Sequence, residues 1–290
     1  MTSTEQLTYL DRLRLSMEDL SDAHPSFKAL IYGLSGVGKT VGAVNMAQEI
    51  TNDYYQILYL DTAEGWVSLQ NHPDLKKRVT RMRYINLNQV DALSEALRRK
   101  EDEFAKYKTI VWDEATSAAD MALDEIVKYR ASMDKAKDPD MPTQPDYNAV
   151  TNRYRKSLAE LLAVPDLNVI LVGHTRLDKD DRNVEVTKPN FLPKLGQKVK
   201  QPLHLITNLS GNEIDENTYR RIYQVHPTRR IDAKTRIGGL QPQVSYEELI
   251  AKIKGWMGGS VKDAPPPELV PDHDPEVPIG STNPNTIEGE

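Results

Sequence analysis

The stretch Gly33-Leu34-Ser35-Gly36-Val37-Gly38-Lys39-Thr40 constrains this chain more than any other feature. It follows the apolar run Phe27 to Tyr32 and precedes a segment with Val41, Val44, Ala47 and Ile50 at helical spacing. The glycines let the backbone turn tightly enough for successive N–H groups to converge on one anion, and the helix behind adds the positive end of its dipole. A lysine and a hydroxyl residue closing the pattern supply a charge for β- and γ-phosphates and an oxygen ligand for Mg²⁺. The pattern therefore predicts a phosphate-binding turn made of Gly33, Ser35, Gly36, Val37, Gly38, Lys39, Thr40 and Val41, holding ATP and Mg²⁺.

Strand and helix patterns alternate around this turn. Strands are expected at 27–32, 57–60, 82–87, 109–112 and 168–172, with helices at 39–50, 89–106, 115–130 and 147–163. Residues 175–196 show no periodicity and read as a long loop, followed by an antiparallel pair at 203–209 and 219–225. Ser245 and Glu248 open a last helix with a capping-box pattern. The alternation predicts an α/β fold with a mostly parallel central sheet over residues 25–258. Leu7, Leu10, Leu13, Met17 and Leu20 form a helical stripe within residues 1–24, a candidate oligomerisation element.

The net charge of −6 resides in residues 261–290, where seven acids face Lys262 alone, so the rest of the chain is neutral. That segment also carries seven of the 18 prolines and no aromatic residue. It has too little apolar surface to offset the entropy of ordering, so residues 259–290 are expected to be a disordered acidic tail. The absence of cysteine excludes disulfides, thiolate zinc sites and cysteine nucleophiles, and six scattered histidines predict no dedicated transition-metal site. No run approaches a membrane span and the N-terminal residues lack a signal-peptide layout, so a cytoplasmic protein with no membrane partner is expected.

Further acidic residues fall where strands end. Asp113 closes the strand 109–112 and is expected to hold Mg²⁺ together with Thr40. Two carboxylates compete to orient the attacking water: Glu114, which directly follows Asp113, and Glu64, which follows the second strand in Asp61-Thr62-Ala63-Glu64. The residues alone leave that choice open.

The phosphate turn, the strand ending at Asp61 to Glu64, the Asp113 strand and the polar strand end Gly173-His174-Thr175-Arg176 follow one another in a telling order. With the later strands and Ala233-Lys234-Thr235-Arg236-Ile237, that order resembles the RecA-type recombinase core. It resembles more closely the small RecA-like proteins that phages encode as single-strand annealing recombinases. The resemblance spans roughly residues 27–240 and implies a RecA-like P-loop ATPase that acts in DNA recombination in the host bacterial cytoplasm. It implies that His174 senses the γ-phosphate, that Lys234 and Arg236 reach into a neighbouring subunit's nucleotide, and that Glu64 has a modest edge as water-orienting base. It further implies a homo-oligomer, ring or filament, that binds single-stranded DNA. A single-strand-binding or host replication protein is a further candidate partner through the tail, whose alternative role is to keep the oligomer in solution. The chain departs from the family in having His174 where Gln is usual, in a longer spacing from Asp61 to Glu64, and in lacking a large C-terminal domain. Two other functions fit the same turn: a hexameric helicase or packaging-type motor, and a nucleotide-gated regulatory or assembly module without DNA binding.

Residues 186–212 carry Lys188, Lys194, Lys198 and Lys200 and no acid. Such a segment can neutralise phosphates without regard to sequence. With Arg176 at its entrance and Phe191 as a stacking platform for bases, it is the predicted DNA-binding surface. Long structureless loops inside compact domains are usually functional or disordered.

Overall fold

The structure, a computed structural model, describes residues 26–51, 55–134, 138–179, 182–215 and 218–258. The predicted N-terminal helix and acidic tail lie outside the described residues. In chain order the elements begin with β1 (Lys28–Gly33), α1 (Lys39–Ile50), β2 (Gln56–Asp61), β3 (Val79–Arg83), α2 (Leu87–Arg99) and β4 (Tyr107–Asp113). There follow α3 (Ala115–Met133), α4 (Gln144–Leu162), β5 (Asn168–Lys179), β6 (Glu185–Pro189) and α5 (Pro193–Lys200). The chain continues through β7 (Leu205–Asp215), β8 (Thr218–Gln224), β9 (Lys234–Thr235), β10 (Gln243–Val244) and α6 (Tyr246–Met257).

The sheet runs β10-β8-β7-β1-β5-β4-β2-β3, with β6 paired to β5 and β9 paired to β7. From β7 to β3 all neighbours are parallel; β8 and β10 add an antiparallel edge. Parallel strands need both faces covered, and successive residues of β1 serve opposite cores. Leu30 and Tyr32 face a core with α2, α3 and α4, while Ala29 and Ile31 face one with α1 and α6. Register sets the functional edge. Gly33 pairs with His174 and Asp61 pairs with Asp113, so the ends of β1, β5, β4 and β2 share one rim. Placing β5 between β1 and β4 puts His174 between the phosphate turn and Asp113. In open α/β sheets this carboxyl rim is where ligands bind.

Several boundaries differ from expectation. The third strand is 79–83 rather than 82–87, and α2 stops at Arg99 because Lys100 turns left-handed (φ 52°). α4 begins three residues early through a reciprocal cap between Thr143 and Asp146. The expected loop at 175–196 is not structureless. β5 continues to Lys179, pairs with β6 as a hairpin, and leads into α5. Periodicity missed it because its apolar positions do not alternate in burial: Val186 and Pro189 of β6 are buried while Leu177 of β5 is 70% exposed. No helix among the described residues is long and apolar enough to cross a membrane.

Candidate nucleotide-binding site

The turn between β1 and α1 is built by two glycines in conformations other residues avoid, Gly36 (φ 81°) and Gly38 (φ 89°). Val37 is buried and pins the turn to the body, while Leu34, Ser35 and Gly36 are exposed at its tip. No side chain caps the start of α1 and no acid stands in its first turn, so its leading N–H groups lack a side-chain acceptor. That is the arrangement of an anion site. Lys39 is buried beneath the turn, its Nζ donating to the Leu34 carbonyl at 2.8 Å. Burial pulls its ammonium below the usual lysine value, while Glu114 and Asp113 oppose that shift. Val41, on the first turn of α1, packs against the core on its own side of the sheet.

Thr40 Oγ1 donates to Asp113 Oδ2 at 2.8 Å. Asp113 is fully buried and also accepts from the Tyr59 hydroxyl and from the Glu114 N–H. Burial raises its carboxyl, against the hydrogen bonds from Tyr59 and Thr40. Paired oxygen donors, one of them a buried carboxylate next to the leading N–H groups of α1, fit a hard divalent cation such as Mg²⁺. Asp61 is engaged elsewhere. Arg81 donates to it at 2.7 Å and the Gly65 N–H at 3.0 Å, which holds the turn after β2 in place. Arg81 in turn lies over the Trp66 ring at 4.6 Å.

The two competing glutamates sit differently although both adopt left-handed backbone at a strand end (φ 58° each). Glu64 is exposed. Glu114 is 9% exposed, and its Oε2 lies 2.7 Å from Nε2 of His174. Burial first, then the neighbouring Asp113, pushes the Glu114 carboxyl up to about 7. Burial and then Lys39 lower the His174 imidazole. The His174 N–H donates to Thr116 Oγ1 at 3.2 Å, which ties the end of β5 to the start of α3. Lys39, Thr40, Asp113, Glu114 and His174 thus converge on one rim, and Glu64 stays at its exposed edge.

The remaining predicted residues scatter. Phe191 is only 2% exposed and packs on Tyr154, the ring centroids 6.0 Å apart, in an aromatic column continued by Trp112. It has no free face for a base, which corrects its assignment as a stacking platform. Arg176 donates to the Phe191 carbonyl at 2.9 Å, and both Arg176 and Lys188 pair with Asp178 at 3.5 and 3.3 Å. Lys200 pairs with Asp232. Lys194 and Lys198 are carried by α5, where Lys198 is exposed. Lys234 Nζ donates to the Lys200 carbonyl at 2.7 Å, and Arg236 donates to the Gln201 carbonyl at 2.9 Å, so both close the C-terminal end of α5 within their own chain. The strand of Lys234, which Arg236 directly follows, pairs with Leu205 and Ile206, the latter beside Leu30, short of the rim.

Three arginines went unnoticed in the sequence. Arg229 and Arg230 are exposed on a loop that bonds to β6 through Thr187 and Asp232. Arg221 of β8 reaches the phosphate turn itself, donating from Nε to the Val37 carbonyl at 3.3 Å. Only the pairing of β7 with β8 brings it there, and no local pattern signals it.

No curated protein matches the chain. A family model described as an AAA domain matches residues 26–237, a span that contains the phosphate turn, Asp113, Glu114 and His174. The chain belongs to this AAA-domain family of P-loop ATPases.

Proposed function

We propose that the protein binds and hydrolyses ATP and, as an oligomer, uses that cycle to bind single-stranded DNA and promote strand annealing or pairing. The convergence of Lys39, Thr40, Asp113, Glu114 and His174 on one rim carries the ATPase part. Lys39 offers its charge to the β- and γ-phosphates once it leaves the Leu34 carbonyl. Thr40 and Asp113 would hold Mg²⁺, which when bound neutralises charge on the phosphates. Glu114, ionised above about pH 7, accepts the proton of the attacking water. His174 holds Glu114 in place and offers a hydrogen bond toward the γ-phosphate position. This arrangement favours Glu114 over Glu64 as the base.

The DNA part draws support from continuity. β5 carries His174 at the rim and runs unbroken into the hairpin with β6, so one strand links the nucleotide site to the basic segment. Exposed Arg229 and Arg230 lie on the loop bonded to β6, and α5 adds Lys194 and Lys198. The pairing of Arg176 and Lys188 with Asp178 favours the rival reading, a nucleotide-gated module whose loops touch protein. Lys234 and Arg236 serve a neighbour's nucleotide in this proposal, which requires them to exchange the α5 carbonyls for phosphate when subunits meet.

Fluorescence anisotropy of a labelled oligonucleotide across a salt series tests the DNA part. Binding should weaken steeply with salt, and Arg229→Ala, Arg230→Ala and Lys198→Ala should each flatten that dependence. Absence of binding at low salt would decide for the regulatory module.

A further inference from the structure

The hairpin of β7 and β8 seats itself against the phosphate turn through glycines. β7 follows β1 as far as the pair Tyr32 and Asn208, then continues past the end of β1, and β8 returns alongside. A Cβ on Gly33 would lie 2.4 Å from the Leu209 carbonyl oxygen. One on Gly38 would lie 2.7–3.0 Å from the Arg221 guanidinium, and one on Gly42 would lie 2.8 Å from the Tyr223 hydroxyl. Positions 38 and 42 are about 6 Å apart along the helix, and Arg221 and Tyr223 are about 6.8 Å apart on one strand face. The two spacings match, so these two side chains of β8 fill the space left open by the two glycines.

Arg221 is not placed there by an acid. Its side chain is exposed, it forms no ion pair with a carboxylate of the described residues, and its Nε donates to the Val37 carbonyl. That carbonyl shares a planar trans peptide with the N–H of Gly38, and the two bonds of such a peptide point in opposite directions. A donor that fixes the oxygen outward fixes the N–H inward, toward the nest of backbone N–H groups that receives phosphate. A charged donor also polarises the peptide and strengthens the opposite N–H.

We infer that Arg221 is a positioning residue of the phosphate turn: it clamps the Val37–Gly38 peptide from outside so that the Gly38 N–H is presented to the nucleotide's phosphate chain. The inference rests on the nucleotide reading of residues 33–40 and names a residue outside that motif. Its effect falls on affinity for the phosphates and not on the hydrolytic step, because no hydrogen bond or ion pair among the described residues joins Arg221 to Glu114 or His174.

The test is calorimetric titration with ADP, run beside steady-state hydrolysis and melting without nucleotide, on Arg221→Ala, Arg221→Lys and Arg221→Gln, with Lys39→Ala as reference. Arg221→Ala should bind ADP about tenfold more weakly, the equivalent of ~1.4 kcal/mol, as for one lost charged hydrogen bond. The KM for ATP should rise in proportion, while kcat at saturation changes less than about threefold. Arg221→Lys should recover part of the lost affinity, and nucleotide-free melting should move by less than about 2 °C. ADP affinity within twofold of wild type in Arg221→Ala, beside a clear loss in Lys39→Ala, would overturn the inference. So would equal losses in all three variants accompanied by a large drop in melting temperature, since that describes packing alone. If Arg221→Ala does not fold, Arg221→Lys must bind ADP more tightly than Arg221→Gln, and equality overturns it. Failure of wild type to bind ADP would instead sink the nucleotide reading.

Discussion

Replacing Glu114 by Gln should separate the stability cost of this carboxylate from its catalytic use. The side chain is 9% exposed, and burial with the nearby Asp113 moves its titration from 4.5 to about 7. A carboxyl raised in the folded state contributes stability that is complete below its unfolded value and lost as pH rises through its folded value. Here the window runs from 4.5 to about 7. At about 1.36 kcal/mol per pH unit the gap sets a ceiling of about 3 kcal/mol, which relaxation and water penetration around the site lower to about 2. For a chain of this size that corresponds to about 4–8 °C in Tm. Free of nucleotide and with EDTA present, Glu114→Gln should therefore melt that much above wild type at pH 8. At pH 5 the gain should be no more than about a third of that. The same substitution removes the carboxylate proposed as the base, so ATP turnover should fall ~100-fold or more with ATP binding retained. Glu64→Gln should keep turnover within about threefold of wild type, because its carboxylate is exposed and lies outside the Glu114–His174 pair. Thermal melting at pH 5, 6, 7 and 8, paired with phosphate-release assays, checks both halves. A gain in Tm independent of pH refutes the burial argument, and loss of turnover in Glu64→Gln alone refutes the assignment of the base.

Other substitutions probe other parts of the structure. Lys39→Ala should abolish hydrolysis and greatly weaken nucleotide binding, since a cation buried under the turn is lost; near-normal turnover would remove the basis for the site. Lys28 is buried, donates to the Leu167 carbonyl and titrates at about 8 because of burial, against an ordinary 10.5. A depressed lysine costs stability as pH falls from its unfolded to its folded value, and the cost is complete below the latter, so Lys28→Met should gain ~1–2 kcal/mol at pH 7. That gain should fade between about pH 8 and 10.5, and a gain that ignores pH would contradict the assignment. Phe191→Ala should cost ~3–4 kcal/mol of stability, read by chemical denaturation, as a buried aromatic truncation does. An unchanged midpoint would mean that the ring is not the core element described here.

Local chemistry was legible where one short segment suffices to build the feature. The phosphate turn, the Asp113 strand end and the Ser245 cap each depend on neighbours in sequence, and each stands where the pattern placed it. The α/β class followed from alternation in the same way. Features set by long-range contacts were not legible. Phe191 among lysines looked like an exposed platform, yet the aromatic column of Trp112 and Tyr154 draws it inward. Glu64 and Glu114 occupy equivalent strand ends in sequence, and only the pairing of β4 with β5 brings His174 to one of them. Arg221 lies 184 positions from Val37 and becomes part of the turn through strand pairing alone. The hairpin at 175–189 escaped notice because its strands lack the buried alternation on which strand recognition depends.

The central claim is that nucleotide turnover at the β1–α1 turn is coupled to single-stranded DNA. The most direct measurement is the ATP hydrolysis rate at fixed Mg²⁺ and saturating ATP while an oligonucleotide is titrated in at low salt. The account predicts a rate that rises with oligonucleotide and saturates in the wild type, and that stays at background in Lys39→Ala. A measurable wild-type rate that stays flat from zero to excess oligonucleotide would contradict it.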